Sequence, residues 1–295
     1  MNHEQWSELQ SETTVTVDGH ELSVAYYDRG PKADGVTEPT ESDVETIVFL
    51  HGIPTWSFLW RRIVPAFEDD YRVVAPDLLG YGNSDKRDCF DRSIRAQERM
   101  LEALLDDLDE TSVTLVGHDI GGGVALRFAA SSPDRVDRLV LSNAVCYDSW
   151  PVEFILGLGS PETAELGDDE FDGKLDFVFA DGTYDDANEE FVSGMKAPWL
   201  RDGGKRALAR AAVSTNTNHT TEIDYDAIDA DVLCLWASSD ILQPISYGER
   251  LASELDGTVV ELDNAYHWVI EDRPDAYRKE LRAFCTETNS TDRGQ

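Results

Sequence analysis

Short apolar runs recur along the chain, each closing on Gly, Pro, Ser, Asp or His. Runs of this length bounded by turn residues predict buried strands. They fall at Thr46–Leu50, Arg72–Ala75, Val113–Gly117, Arg138–Leu141, Val232–Ala237 and Val259–Leu262. Thr13–Val17 and Glu21–Tyr27 alternate more and flank Asp18-Gly19, which predicts a strand pair joined by a tight turn. Between Arg92 and Leu108 the period changes: Ile94, Leu101, Leu104, Leu105 and Leu108 repeat at helical spacing and predict a core-facing stripe. Pro274 to Phe284 predicts a last helix with proline near its start. After Leu141 the parallel pattern breaks for about eighty residues, far longer than an ordinary connection. Residues 147–225 are therefore assigned to an inserted lid, leaving 1–146 and 226–295 as the core domain, with 286–295 as a disordered tail. Pro31 to Glu45, acidic and without period, predicts an exposed insertion.

The most specific chemistry lies in Val113-Thr114-Leu115-Val116-Gly117-His118-Asp119-Ile120-Gly121-Gly122-Gly123. It is a strand that runs through small residues into a helix, the pattern of a nucleophile elbow with Asp119 at the apex in place of the usual serine. An ionised carboxylate attacks saturated carbon directly, whereas serine needs a base and normally attacks a carbonyl. The strand Val48-Phe49-Leu50 ends in His51-Gly52-Ile53-Pro54, where backbone amides can face the same point. Ile53 and Ile120 are the expected oxyanion donors. Asp240 follows one late strand and His267 another, so nucleophile, acid and histidine occur in that order. Asp148, beyond the strand ending at Leu141, is an alternative acid. Of the six histidines, His267 alone follows the last strand.

At these residues the chain resembles the α/β-hydrolases with an aspartate nucleophile, the group of haloalkane dehalogenases and epoxide hydrolases. The resemblance runs from Ser23 to Phe284 and is carried further by His51-Gly52-Ile53-Pro54-Thr55-Trp56-Ser57-Phe58-Leu59-Trp60-Arg61 and Ala75-Pro76-Asp77-Leu78-Leu79-Gly80-Tyr81-Gly82-Asn83-Ser84-Asp85-Lys86. It implies an α/β-hydrolase fold, a mostly parallel sheet flanked by helices with an inserted helical lid. It also implies a two-step hydrolysis through an ester on Asp119, with His267 as the base oriented by Asp240. Dehalogenases usually place Trp after the nucleophile to hold the departing halide, and this chain has Ile120 there. Ile53 removes a second such donor, so Trp150 and Trp199 are the candidate substitutes. Fluoroacetate-type relatives carry Arg after the nucleophile, and Ile120 excludes that carboxylate contact, which favours an apolar substrate. Epoxide hydrolases use phenols from the lid, for which Tyr147, Tyr184 and Tyr225 are candidates. The leaving group stays open between halide and epoxide. Trp150, Tyr147, Tyr184 and Trp199 are the expected substrate contacts, within a lid whose other aromatics, Phe154, Phe171, Phe177, Phe179 and Phe191, supply mainly its own core. The alternative is a non-catalytic ligand-binding member of the same fold.

Composition adds three things. A length of 295 residues with 41% apolar positions suits one large domain and its insertion. Lys and Arg number 25 against 59 acids, a net charge of −34, which disfavours nucleic acid and anionic membranes as partners. A small-molecule substrate and water are the expected partners. The acids are spread along the chain, so the charge is read as salt adaptation: in molar salt the Debye length is about 3 Å and the self-repulsion is screened. The melting temperature should therefore rise by roughly 10 °C or more between dilute buffer and molar potassium salt, and equal values in a salt series would refute that reading. Cys89, Cys146, Cys234 and Cys285 show no paired spacing. Residues 1–12 are polar and lack an apolar signal core, and no apolar run is long enough to span a bilayer, so a cytoplasmic location is expected. No metal-ligand cluster or phosphate-binding glycine loop occurs, so neither metal nor organic cofactor is expected.

Overall fold

The computed structural model describes residues 1–31, 44–214 and 216–286. The predicted insertion at Pro31 to Glu45 and the predicted tail fall largely outside these described residues, and Thr286 belongs to the last helix. The architecture is the α/β-hydrolase fold. Among the described residues eight strands form one sheet: β1 (Gln10–Val17), β2 (His20–Arg29), β3 (Thr46–Leu50), β4 (Arg72–Pro76), β5 (Val113–His118), β6 (Val136–Ser142), β7 (Asp231–Ala237) and β8 (Thr258–Leu262). Their spatial order is β1-β2-β4-β3-β5-β6-β7-β8. The first pairings, β1 with β2 and β2 with β4, are antiparallel, and the rest are parallel.

Every residue of β3 and β5 is buried, as expected for parallel strands covered on both faces. Leu50 pairs with Gly117, so the two strands end side by side. The chain leaves β3 on one side to make β4 and crosses to the other side to make β5. Such a reversal opens a crevice above the carboxyl ends of the strands, the usual place for a ligand in an open α/β sheet.

Helices cover both faces. In chain order they are α1 (His3–Leu9), α2 (Ile94–Asp107) and α3 (Ile120–Ser131), then α4 (Glu153–Leu158), α5 (Asp168–Ala180), α6 (Glu189–Lys196), α7 (Gly204–Val213) and α8 (Asn218–Thr221), and finally α9 (Ile245–Glu254), α10 (Val269–Asp272) and α11 (Pro274–Thr286). The group α4 to α8 occupies the interval between β6 and β7, where the parallel pattern breaks in the sequence. Helix α2 starts after the Ser93 cap and buries Ile94, Met100, Leu101, Leu104 and Leu105. Truncating one of these leucines to Ala would cost about 2–5 kcal/mol through lost burial and the cavity left behind.

The amino-terminal residues form a short capped helix anchored on the sheet. Asn2 and Gln5 form a reciprocal capping box, and Trp6 is buried, stacked on Tyr27 at 4.4 Å with its indole donating to Ser57 Oγ at 2.9 Å. Strand β1 consequently starts at Gln10 rather than Thr13. Among the described residues no helix is long and apolar enough to cross a membrane, and the four cysteines are free, with only Cys89 exposed.

Candidate active site

Strand β5 delivers Asp119 to the apex of a turn at φ 52° and ψ −123°, a backbone region that costs a non-glycine residue energy. The turn is over-determined by its surroundings. The Asp119 carbonyl accepts from both Gly122 and Val145 at 3.0 Å, and its N–H donates to Ser142 at 3.3 Å. Close approach accounts for two glycines. A Cβ on Gly121 would lie 2.3 Å from the Leu50 carbonyl oxygen, and one on Gly52 would lie 2.4 Å from the Asp119 Cβ. Side chains there would push the β3 loop away from the elbow.

With that spacing, the loop after β3 meets the carboxylate. Ile53 N–H donates to Asp119 Oδ1 at 2.7 Å, and the Ile120 N–H also hydrogen-bonds this carboxylate. Oδ2 lies 3.7 Å from His267 Nε2. On the other side of the ring, His267 Nδ1 donates to Asp240 Oδ2 at 2.8 Å. Asp240 is itself held by Asn143 Nδ2 at 2.5 Å and by the Leu242 N–H at 2.7 Å. Asp119, Asn143, Asp240 and His267 thus converge from loops that follow β5, β6, β7 and β8. Asp148 does not join them: it is exposed and accepts from the Tyr247 hydroxyl at 3.4 Å.

All three titratable side chains are buried. Burial pushes the Asp119 carboxyl up to about 6, against the opposing pull of His267 and the Ile120 and Ile53 amides. For Asp240 burial acts in the same direction, but the charge and hydrogen bond of His267, with Asn143 and Leu242, outweigh it and hold that carboxyl below the ordinary value. For His267 burial alone would lower the pKa, yet Asp240 and Asp119 prevail and raise it. His51, which accepts from Leu78 N–H through Nε2, is pushed down to about 4 by burial, and burial also drives His118 well down, so both stay neutral.

The raised Asp119 value makes a stability prediction with a definite sign. The folded carboxyl binds its proton more tightly than an unfolded one near 3.8, so the burial penalty is absent below about pH 4, grows through about pH 6 and persists above it. Asp119→Asn removes the titration. The variant should be more stable than wild type by up to about 3 kcal/mol at pH 8, with the gap closing toward pH 4, which parallel denaturant melts would read.

Above the carboxylate lies a cavity of about 510 Å³, whose walls include Ile53, Trp150, Phe154, Phe177, Gln243 and Trp268, together with Asp119 and His267. Of the four expected substrate contacts, only Trp150 lines it. Tyr147 turns away, with its hydroxyl donating to Glu254 at 2.6 Å and its ring stacked on Tyr225 at 4.4 Å. Tyr184 is exposed and packs on Tyr266. Trp199 is buried and donates to the Pro54 carbonyl at 2.6 Å. Tyr225 accepts from Tyr147 N–H and lies next to the Thr220 carbonyl, so it does not line the cavity either. The phenol that does line it is Tyr266, beside His267.

Sequence reasoning missed Asn143, Tyr266, Trp268 and Gln243. Trp268 and Tyr266 could have been found by adjacency to His267. Gln243 is buried with its Oε1 unpartnered among the described residues. Asn143, the first residue past β6, has φ 45° and accepts from Ala237 N–H through Oδ1, which ties it to β7.

Residues 45–161 match the family described as alpha/beta hydrolase fold. A cis-3-alkyl-4-alkyloxetan-2-one decarboxylase of Shewanella oneidensis is 42% identical over 122 residues, which are 39% of this chain and 38% of that relative, so the match spans well under half of the relative's length. Haloalkane dehalogenase 2 of Mycobacterium tuberculosis is 29% identical over 245 residues, covering 78% of this chain and 84% of that protein. Among solved structures, an alpha/beta hydrolase fold protein from Burkholderia ambifaria superposes with a TM-score of 0.80 at 26% identity, covering 91% of this chain and 96% of that one.

Proposed function

We propose that the chain is an α/β-hydrolase of the dehalogenase and epoxide hydrolase group, which its similarity to those relatives supports, and that it hydrolyses a small apolar substrate through an ester on Asp119. The observation that carries this reading is the division of labour within one carboxylate. Oδ1 is occupied by the Ile53 N–H while Oδ2 faces His267 Nε2 across 3.7 Å. In the first step Oδ2 attacks an sp³ carbon, the C–O bond forms, and the leaving group departs with its electron pair. In the second, His267 Nε2 takes a proton from water, whose oxygen adds to the Asp119 carboxyl carbon. Negative charge then develops on Oδ1, where the Ile53 amide already points, with the Ile120 amide on the same carboxyl group. Collapse expels the product alkoxide bearing Oδ2, and the proton on His267 neutralises it. Asp240 keeps the His267 proton on Nδ1 and stabilises the imidazolium, and Asn143 positions Asp240. Esterification also removes the Asp119 charge that raises His267, so the ring becomes a readier base when it is needed. The helical segment 147–225 acts as the lid, supplying Trp150, Phe154 and Phe177 to the cavity wall.

Departure of a stable anion needs a donor but no proton. Trp150 lines the cavity, and its indole N–H has no acceptor among the described residues, which favours halide. Epoxide opening needs an acid, and the three lid tyrosines lie elsewhere, leaving Tyr266 as the phenol in the cavity. The similarity to the oxetanone decarboxylase supports a second reading, a strained cyclic ester, because opening it at the alkyl carbon also releases a stable anion, a carboxylate. The test is a panel of bromoalkanes, epoxides and a dialkyl oxetanone in molar potassium acetate, with wild type and Asp119→Asn. Bromide release that requires Asp119 is the expected outcome. Diol alone would move the assignment to epoxide hydrolysis. Ligand binding without any Asp119-dependent product would identify a non-catalytic receptor.

A further inference from the structure

Several exposed apolar side chains gather among the residues that line the cavity. Isolated exposed apolar side chains are ordinary, whereas a group of them at one opening is not. Ile241 is 88% exposed and Phe177 is 59% exposed, and both line the cavity together with the exposed Tyr266. Two neighbours widen the patch: Phe154 packs against Phe177 at 6.4 Å, and Tyr184 against Tyr266 at 5.1 Å. Ile241 is not a stray residue on a loose loop. It sits between Asp240 and Leu242, whose N–H is bonded to the Asp240 carboxylate, so its place at the opening is fixed by the same contact that holds the acid.

Charge narrows what can cross this rim. Apart from His267 and Tyr266, the titratable side chains among the lining residues are the acids Asp119, Asp181 and Asp240, and neither Lys nor Arg lines the cavity among the described residues. An anionic tail would find no free counter-ion there, because His267 already faces Asp240 and Asp119, and it would pass beside Asp181. Resting on the hydrolase reading of Asp119, we propose that the substrate is an uncharged, chain-like apolar molecule. Its reacting carbon lies at Asp119, and its distal segment leaves the cavity across Ile241 and Phe177. The rim is thus a specificity surface that selects chain length and rejects a terminal anion.

The test is a homologous series. Each methylene laid on apolar surface strengthens binding about threefold to fourfold. With 1-bromoalkanes from propyl to octyl, the wild-type kcat/KM should climb by that factor per carbon. In Ile241→Asn/Phe177→Asn the octyl-to-propyl ratio should fall about tenfold. Both side chains are exposed, so the fold should tolerate the changes, and the single Ile241→Asn variant with an unchanged melting temperature serves as a second reading. 8-Bromooctanoate should be at least about tenfold poorer than 1-bromooctane and should recover partly in Asp181→Asn. In parallel, the affinities of propanol through octanol for Asp119→Asn, with and without the rim substitutions, report on the rim without any turnover. If neither the bromoalkanes nor the epoxides nor the oxetanone are hydrolysed but the alkanol slope depends on the rim, the hydrolase reading fails and the rim proposal stands. A slope that is flat in wild type, or equally steep in the rim variant, overturns the proposal.

Discussion

On the proposed mechanism, Asp119→Asn should lower kcat/KM by about 10⁴-fold or more while leaving ligand affinity within a few-fold of wild type. The amide oxygen can still accept from Ile53 and Ile120, so the elbow keeps its geometry, but a neutral amide does not displace a leaving group from saturated carbon. The loss therefore falls on kcat rather than on binding. The same carboxylate sets an acid limb. Only its ionised form attacks, and burial places its pKa at about 6, so kcat/KM should decline below about pH 6 instead of near pH 4. A variant that gained stability at pH 8 while losing turnover would link both effects to one buried charge, a trade of stability for reactivity. Retained turnover in Asp119→Asn, measured on protein verified by mass to be free of deamidation, would remove Asp119 from the chemistry.

The second large effect separates the two steps. His267→Gln should release about one equivalent of leaving group per site and then stop, with steady turnover down about 10²–10⁴-fold and the alkyl group retained on Asp119. The first step needs no base, because the nucleophile is already ionised. Its pH dependence should nonetheless move upward in the variant, since the charge of His267 is one of the influences that pull Asp119 down. Asp240→Asn should act more mildly on the burst and strongly on turnover, as it leaves the ring without its counter-charge but in place. Intact-protein mass spectrometry after exposure to substrate reads the adduct. Steady release without an adduct would mean that water attacks the substrate directly.

The legible parts of this chain are those encoded by neighbours in sequence. The elbow is written locally, because the close contacts at Gly52 and Gly121 demand glycine and the apex directly follows a buried strand. Asp240 and His267 could be placed because each follows its strand within a few residues. Asn143 was invisible for the opposite reason: its function depends on β6 and β7 lying side by side and on a positive φ that no local pattern announces. The lid aromatics show the limit of composition. Aromatic content announces that rings are available to a pocket, but the facing of each ring is decided by tertiary partners. Tyr147 is claimed by Glu254 on α9, and Trp199 by the Pro54 carbonyl. Trp6 carries the same lesson at the amino terminus, where one buried indole anchors a short helix that has no apolar stripe to reveal it. Geometry also separates the two candidate acids. Asp148 and Asp240 both follow strands, yet Asp148 is exposed, whereas Asp240 has the Leu242 amide, the Asn143 donor and His267 around it that make a buried carboxylate tolerable.

The ester itself is tested most directly by oxygen tracing. A single turnover in ¹⁸O-labelled water, with enzyme in excess over substrate, should give product whose new hydroxyl carries ordinary oxygen drawn from Asp119, and the peptide containing Asp119 should gain one heavy oxygen. Labelled oxygen in that first product, with an unlabelled Asp119 peptide, would contradict the account.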